Sequence, residues 1–175
     1  MGQLDSILDI FFENPSKNFQ IRGIAKLLKI PKTTVSYNVN ALLKRKLIIK
    51  EKKGVFPSFR ANETNSLFKV YKQHSMILKI YQSGLVDYLE KKTLPRCIIL
   101  FGSIRKGEYD ARSDIDIFVQ SSEQTLDLVK FEKKLGHKIN ALFEPELKDL
   151  SEELLNNIIN GIVLYGSLRV KWKEI

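Results

Sequence analysis

The sequence predicts an α+β protein of two domains joined by a long helix: a helical first domain closed by a hairpin, then a small mixed-sheet domain. Three observations lead to this. Three apolar segments with helical spacing crowd the first third of the chain. A proline-free amphipathic run covers residues 63–93. Beyond residue 94, short apolar strands alternate with helical stretches. Length and composition agree, because 175 residues with 43% hydrophobic content, 5 Pro and 9 Gly can bury one good core or two small ones. The net charge of +9 is lopsided: residues 1–65 hold 12 Lys/Arg against 5 Asp/Glu, and the remainder 17 against 15. Such asymmetry points to a polyanionic partner for the first domain alone. A lone cysteine, Cys97, excludes an internal disulfide and sits in the apolar run RCIILF as a buried thiol. No apolar run has signal-peptide or membrane-spanning form, so the expected location is cytoplasmic, with no membrane partner.

The first domain is expected over residues 1–62. LDSILDIFFEN places Leu4, Ile7, Leu8 and Phe11 on one helical face and stops at Asn14-Pro15. FQIRGIAKLLKI groups Ile21, Ile24, Ala25 and Leu28. PKTTVSYNVNALLKRKLI opens on a proline, which suits a first helical turn, and buries Val35, Val39, Leu42 and Leu43. Its other face shows Thr33, Thr34, Ser36, Tyr37 and Asn40. Residues 47–60 then read as two short strands around the basic turn KEKKG. This order resembles a winged helix-turn-helix domain, and PKTTVSYNVNALLKRKLI is similar to the recognition helix and following strand of small prokaryotic transcription regulators. The resemblance implies double-stranded DNA as partner. A helix fits the major groove, where Thr33, Thr34, Ser36, Tyr37 and Asn40 would meet base edges and phosphates. Lys32, Lys44, Arg45, Lys52 and Lys53 would supply the phosphate contacts. A solvated basic face, or a winged helix used for protein contact, is the alternative.

The connector, residues 63–93, reads as one helix. Leu67, Tyr71, His74, Leu78, Tyr81, Leu85 and Tyr88 recur at alternating steps of four and three, a heptad seam about three repeats long. Two readings stay open: this seam packs on the neighbouring domain, or it joins two copies as a homodimer through residues 67–88. His74 is read as a core or interface histidine, since no histidine or carboxylate stands at i+3 or i+4 to complete a metal pair.

The second domain, residues 94–175, reads as strand RCIILFG, strand SDIDIFV, a helix over about 123–135, strand HKINALF, helix ELKDLSEELLNNIIN and a last apolar segment GIVLYGSLRV. A strand ending in Gly102-Ser103 lets the backbone turn sharply with its amides open to an anion. Asp114 and Asp116 alternate on the next strand, so both carboxylates emerge on one side, about 6–7 Å apart. Like charges so placed favour a divalent cation, and Mg²⁺ prefers one or two carboxylates plus substrate phosphates. Arg105, Lys106 and Arg112 between them can hold a triphosphate. These parts suit phosphoryl or nucleotidyl transfer, in which positioning and charge neutralisation dominate.

FGSIRKGEYDARSDIDIFV resembles the signature of the DNA polymerase beta-type nucleotidyltransferases: hydrophobic-Gly-Ser, about ten residues, then Asp-hydrophobic-Asp-hydrophobic. Its GS-x-x-x-G opening, the arginine before SDID and the later GIVLYG are similar to the minimal nucleotidyltransferases of prokaryotes, over residues 96–166. The resemblance implies that Gly102, Ser103, Arg105, Lys106, Arg112 and Ser113 bind the nucleotide. Asp114 and Asp116 would be the catalytic and metal-binding residues, with Mg²⁺ or Mn²⁺ as cofactor and a nucleoside triphosphate as substrate or ligand. The family's third acidic position falls on Asn140, an amide that brings no charge and cannot act as a base. Glu144 has the right strand parity but lies about 13 Å further along.

Two functions follow. One is Mg²⁺-dependent transfer of a nucleoside monophosphate, AMP by resemblance, to a protein or small hydroxyl acceptor, tethered to a DNA-binding domain. The alternative is a DNA-binding regulator or antitoxin whose degenerate transferase domain only binds nucleotide or a partner. Minimal nucleotidyltransferases often partner helical HEPN-type toxins. The chain lacks the Arg-x(4–6)-His signature of those toxins, so such a partner would be a separate protein.

Overall fold

The computed structural model describes residues 2–51 and 56–168. These form two compact units, the described residues up to Ser75 with Tyr109–Ala111, and Met76–Glu108 with those from Arg112 on.

The first unit contains α1 (Gln3–Glu13), α2 (Ile21–Leu28), α3 (Lys32–Lys44) and the antiparallel strands β1 (Ile48–Glu51) and β2 (Ser58–Ala61). Its core is the predicted apolar set: Ile7, Leu8, Phe11, Ile24, Ala25, Val35, Val39 and Leu42 are buried. Leu4, Ile21, Leu28 and Leu43 only flank it. Leu43 is displaced because it sits about 100° around the helix from Leu42, off the row formed with Val35 and Val39. Phe12, outside the predicted stripe, is also buried, edge-on to Phe68 at 5.2 Å between ring centres. The hairpin is in register from Ile48 opposite Ala61 to Glu51 opposite Ser58, and Arg60 pairs with Glu51 at 2.6 Å. Phe19 adds to its edge, exchanging two 2.8 Å backbone hydrogen bonds with Phe59.

The connector is not a single helix. α4 (Ser66–Ser83) ends at Gly84, and α5 (Leu85–Thr93) begins after it. Gly84 takes φ +82°, a left-handed conformation that breaks the helical hydrogen-bond ladder and suits glycine. The Ser83 hydroxyl then accepts the freed Leu85 N–H at 3.1 Å. At the other end Asn65 caps α4, its side-chain oxygen accepting the N–H groups of Leu67 and Phe68.

α4 buries a different row from the predicted seam. Phe68, Lys72, Met76 and Ile80, spaced by four, are buried, while Leu67, Tyr71, His74, Leu78 and Tyr81 are exposed. Over residues 67–81 the seam therefore does not pack into the fold. Leu85 does become core, and Tyr88 is half-buried beside Phe131, both on α5. Lys72 is tolerated inside because its ammonium donates to the Tyr109 carbonyl and lies 4.5 Å above the Tyr109 ring. Burial lowers its pKa to about 8, against the pull of Glu63, Glu13 and Asp110.

The second unit is built on a four-stranded mixed sheet: β3 (Cys97–Phe101), β4 (Ile115–Val119), β5 (Ile139–Phe143) and β6 (Ile162–Gly166), in the order β5-β4-β3-β6. β3 is antiparallel to β4 and β6, and β4 is parallel to β5. Every residue from Cys97 to Leu100 is buried, as expected for a central strand covered on both faces. On one face Cys97, Ile99 and Phe118 pack beneath Ile158 of α8 (Glu152–Ile159).

Two predicted helices are shorter than expected. The expected helix over 123–135 forms only as α7 (Val129–Leu135). Asp127 is held outside it, its N–H donating to the Tyr88 hydroxyl and its carboxylate accepting from Val129 N–H. The expected helix over 146–160 divides into a 3-10 turn, Leu147–Asp149, and α8. Ser151 separates them by accepting the Leu154 N–H, an N-cap written in the sequence as SEEL. Among the described residues no helix is long and apolar enough to cross a membrane.

Candidate functional site

The candidate active site lies where β3 ends and β4 and β5 begin. β3 leads directly into the short helix α6 (Gly102–Lys106). Gly102 has φ +73°, and a Cβ there would fall on the Asp116 carboxylate, about 3.0 Å from its Cγ. Glycine is thus required twice, for the turn and for the space that Asp116 occupies. Asp116 faces Phe101 across the β3–β4 ladder and Asn140 across the β4–β5 ladder. Strand alternation puts Asp116 on the side of the sheet covered further along by Phe118 and α8, and sends Ile115 and Ile117 to the other. The apolar layer stops where the carboxylate begins.

Asp116 is half-buried and Asp114 exposed, one residue before β4. Burial raises the Asp116 pKa above the ordinary carboxylate value. The Asn140 hydrogen bond opposes this and the Asp114 charge adds to it. That cost is what a divalent cation would remove. Two carboxylates two residues apart are hard oxygen donors that would suit Mg²⁺ completed by substrate phosphate, whereas Asn140 turns its amide nitrogen, not its oxygen, toward Asp116. No group of three or more His, Cys, Asp or Glu suited to a metal exists among the described residues.

Asn140 occupies the position opposite Asp116 in the β4–β5 register, and its Nδ2 donates to Asp116 Oδ1 at 3.2 Å. Glu144 is no substitute. Its N–H lies 3.4 Å from the Val119 carbonyl at the far end of β4, about 10 Å along the strand from Asp116.

The remaining predicted residues follow the turn. Ser103 and Arg105 are half-buried on α6, Lys106 is exposed at its end, and Arg112 is exposed ahead of β4. The Ser113 side chain is half-buried, and its carbonyl accepts from His137 Nδ1 at 2.7 Å. His137, itself buried, steadies the residue just before Asp114 and was not singled out from the sequence. Glu132 acts likewise, accepting the Ile139 N–H at 2.9 Å where β5 begins. No local pattern marks either one, because their partners are 24 and 7 residues away.

In the first unit, Thr33, Tyr37, Asn40 and Lys44 form a row on α3 opposite buried Val35, Val39 and Leu42. All four are exposed, Tyr37 by 77%. Lys32 and Arg45 are exposed at the helix ends, whereas Thr34 and Ser36 are half-buried at the margins. The Thr34 carbonyl accepts from the Asn38 amide at 2.9 Å. Lys52 and Lys53 lie outside the described residues.

No curated protein matches the chain. Residues 83–169 match the family model described as polymerase beta, nucleotidyltransferase, and the four-stranded mixed sheet that carries Asp116 is consistent with a small nucleotidyltransferase fold.

Proposed function

We propose that the protein transfers a nucleoside monophosphate from a nucleoside triphosphate to a hydroxyl acceptor, at a site joined to a DNA-binding unit. The observation that supports this best is the fit of Gly102 to Asp116: a backbone turn without a side chain, placed where a metal-binding carboxylate fills the gap. In this reading Gly102 and Ser103 meet the triphosphate, with Arg105, Lys106 and Arg112 neutralising it. Asp114 and Asp116 hold Mg²⁺, which supplies charge neutralisation at the phosphates. The acceptor oxygen forms a bond to the α-phosphorus as the bond to the pyrophosphate oxygen breaks, and pyrophosphate leaves. The hydroxyl proton passes to water or to a base on the acceptor, since Asn140 cannot take it. Transfer is therefore slow unless the acceptor brings that base. AMP to a protein or small hydroxyl acceptor is the preferred form.

The α3 row, backed by a buried apolar stripe, suits a major groove, with Lys32, Lys44 and Arg45 on phosphates. A second reading rests on Asn140: a DNA-binding regulator or antitoxin whose second unit binds nucleotide or a partner such as a HEPN-type toxin without catalysing transfer. Incubation with labelled nucleoside triphosphates, Mg²⁺ or Mn²⁺, and candidate acceptors separates the two. Label transfer that disappears in Asp116→Ala supports the transferase. A silent wild type beside an active Asn140→Asp variant identifies the second reading.

A further inference from the structure

We propose that the exposed face of α4 joins two copies of this chain, helix against helix. Five of the chain's exposed large apolar side chains lie on this one helix: Leu67 at 45%, Val70 at 46%, Tyr71 at 40%, Leu78 at 59% and Tyr81 at 46%. Exposed apolar side chains gathered along one helix face ordinarily mark an interface. At about 100° per residue, the row Leu67, Tyr71, His74, Leu78, Tyr81 is centred roughly 160° from the buried row of Phe68, Lys72, Met76 and Ile80. The helix therefore has two separate apolar faces. One is consumed by the fold and the other is open.

The occupant is argued from spacing and charge. Steps of four and three repeat along the open row, which is the alternation that lets two helices mesh side chains as knobs into holes. The buried row advances only by fours and lacks it. Positions that would flank such a seam carry no charge: Val70 and Ile77 on one side, Phe68, Ser75 and Gln82 on the other. The half-buried charges of α4, Lys69 and Lys79, fall outside the seam. An uncharged heptad face is complementary to itself, and it offers a charged partner nothing to pair with.

Size agrees with a weak but specific dimer. The seam runs about 21 Å along the helix. The five exposed side chains present roughly 500 Å² per protomer, about 1,000 Å² for a pair, near the lower limit of specific interfaces. Tyr81 is already fixed for the contact, its hydroxyl donating to the Leu164 carbonyl at 2.7 Å. His74, whose Nδ1 lies 2.9 Å from the Val70 carbonyl, is the single strongly polar side chain in the seam and favours one axial register. Pairing through α4 depends on neither nucleotide transfer nor DNA binding.

Sedimentation velocity of the full chain, followed from about 1 to about 200 µM, tests this, because a homodimer must respond to concentration. The expected result is a shift from the 20.2 kDa monomer to twice that mass. Leu78→Glu should remain monomeric throughout, Leu78→Met should dimerise like the wild type, and all should share one far-UV circular dichroism spectrum. Leu94→Glu alters a side chain exposed by 85% off the seam and should leave the mass profile unchanged. A wild type that stays monomeric at the highest concentration overturns the proposal and leaves the face to a different partner. A dimer that survives Leu78→Glu and Tyr71→Glu together overturns it as well.

Discussion

The exposed row on α3 and the carboxylate rim at the start of β4 are both polar surfaces backed by an apolar layer, yet they differ in what they ask of the fold. Thr33, Tyr37, Asn40 and Lys44 stand in solvent, where charge and hydroxyl keep their hydration. Asp116 is half-buried behind Gly102, beside a second carboxylate, with a raised pKa. A hydrated face can serve any polyanion and should be governed by salt. A rim that holds charge against its own preference costs stability, a cost that a bound cation would offset.

The largest effect expected is at the rim: Asp116→Ala should lower label transfer by about 1,000-fold, some 4 kcal/mol in the barrier. Next comes Asn140→Asp, which should raise transfer by about 100-fold by placing a base beside Asp116. A variant with no gain would mean that proton removal does not limit the reaction. On α3, replacing Lys44 and Arg45 by alanine should weaken duplex binding by about tenfold and flatten the plot of log affinity against log salt by roughly 2. An unchanged slope would take those side chains off the phosphates and erase the contrast between the two surfaces.

The smallest effect is in stability. Asp116→Asn without divalent metal should raise the melting temperature by about 1–2 °C at pH 7. The sign follows from the raised folded-state pKa. Ionised Asp116 destabilises the fold once the pH has climbed through that pKa, and below the usual aspartate value near 4 both states are protonated and the gain should vanish. A melting temperature that falls at pH 7 would remove the claim that the rim holds charge at a cost.

Much of the second unit was legible because its signals are short-range. Gly102-Ser103 closes a strand of consecutive apolar residues, and Asp114 and Asp116 alternate around Ile115. Asn140 could be placed in the third position from the HKINALF strand, and the β4–β5 register sets it opposite Asp116. In the first unit the α3 faces followed from helical spacing. What the sequence concealed depends on distant neighbours. The clash that reserves position 102 for glycine involves Asp116, 14 residues later. The Gly84 break is hidden in the sequence because a single glycine inside a strong helical pattern is often tolerated. The seam's spacing was plain, but only the burial of Phe68, Lys72, Met76 and Ile80 shows that the fold uses the opposite side of α4.

Position 140 also has a bearing on heredity. Asparagine and aspartate occupy nearly the same volume, and their codons differ at one base. An amide beside Asp116 therefore keeps the shape an aspartate would have without its charge. Gly102 has no such latitude, since any side chain would collide with Asp116. Under the proposed reading, a single-base change at residue 140 would add a third carboxylate with the rim intact, whereas a side chain at residue 102 would force Asp116 to move.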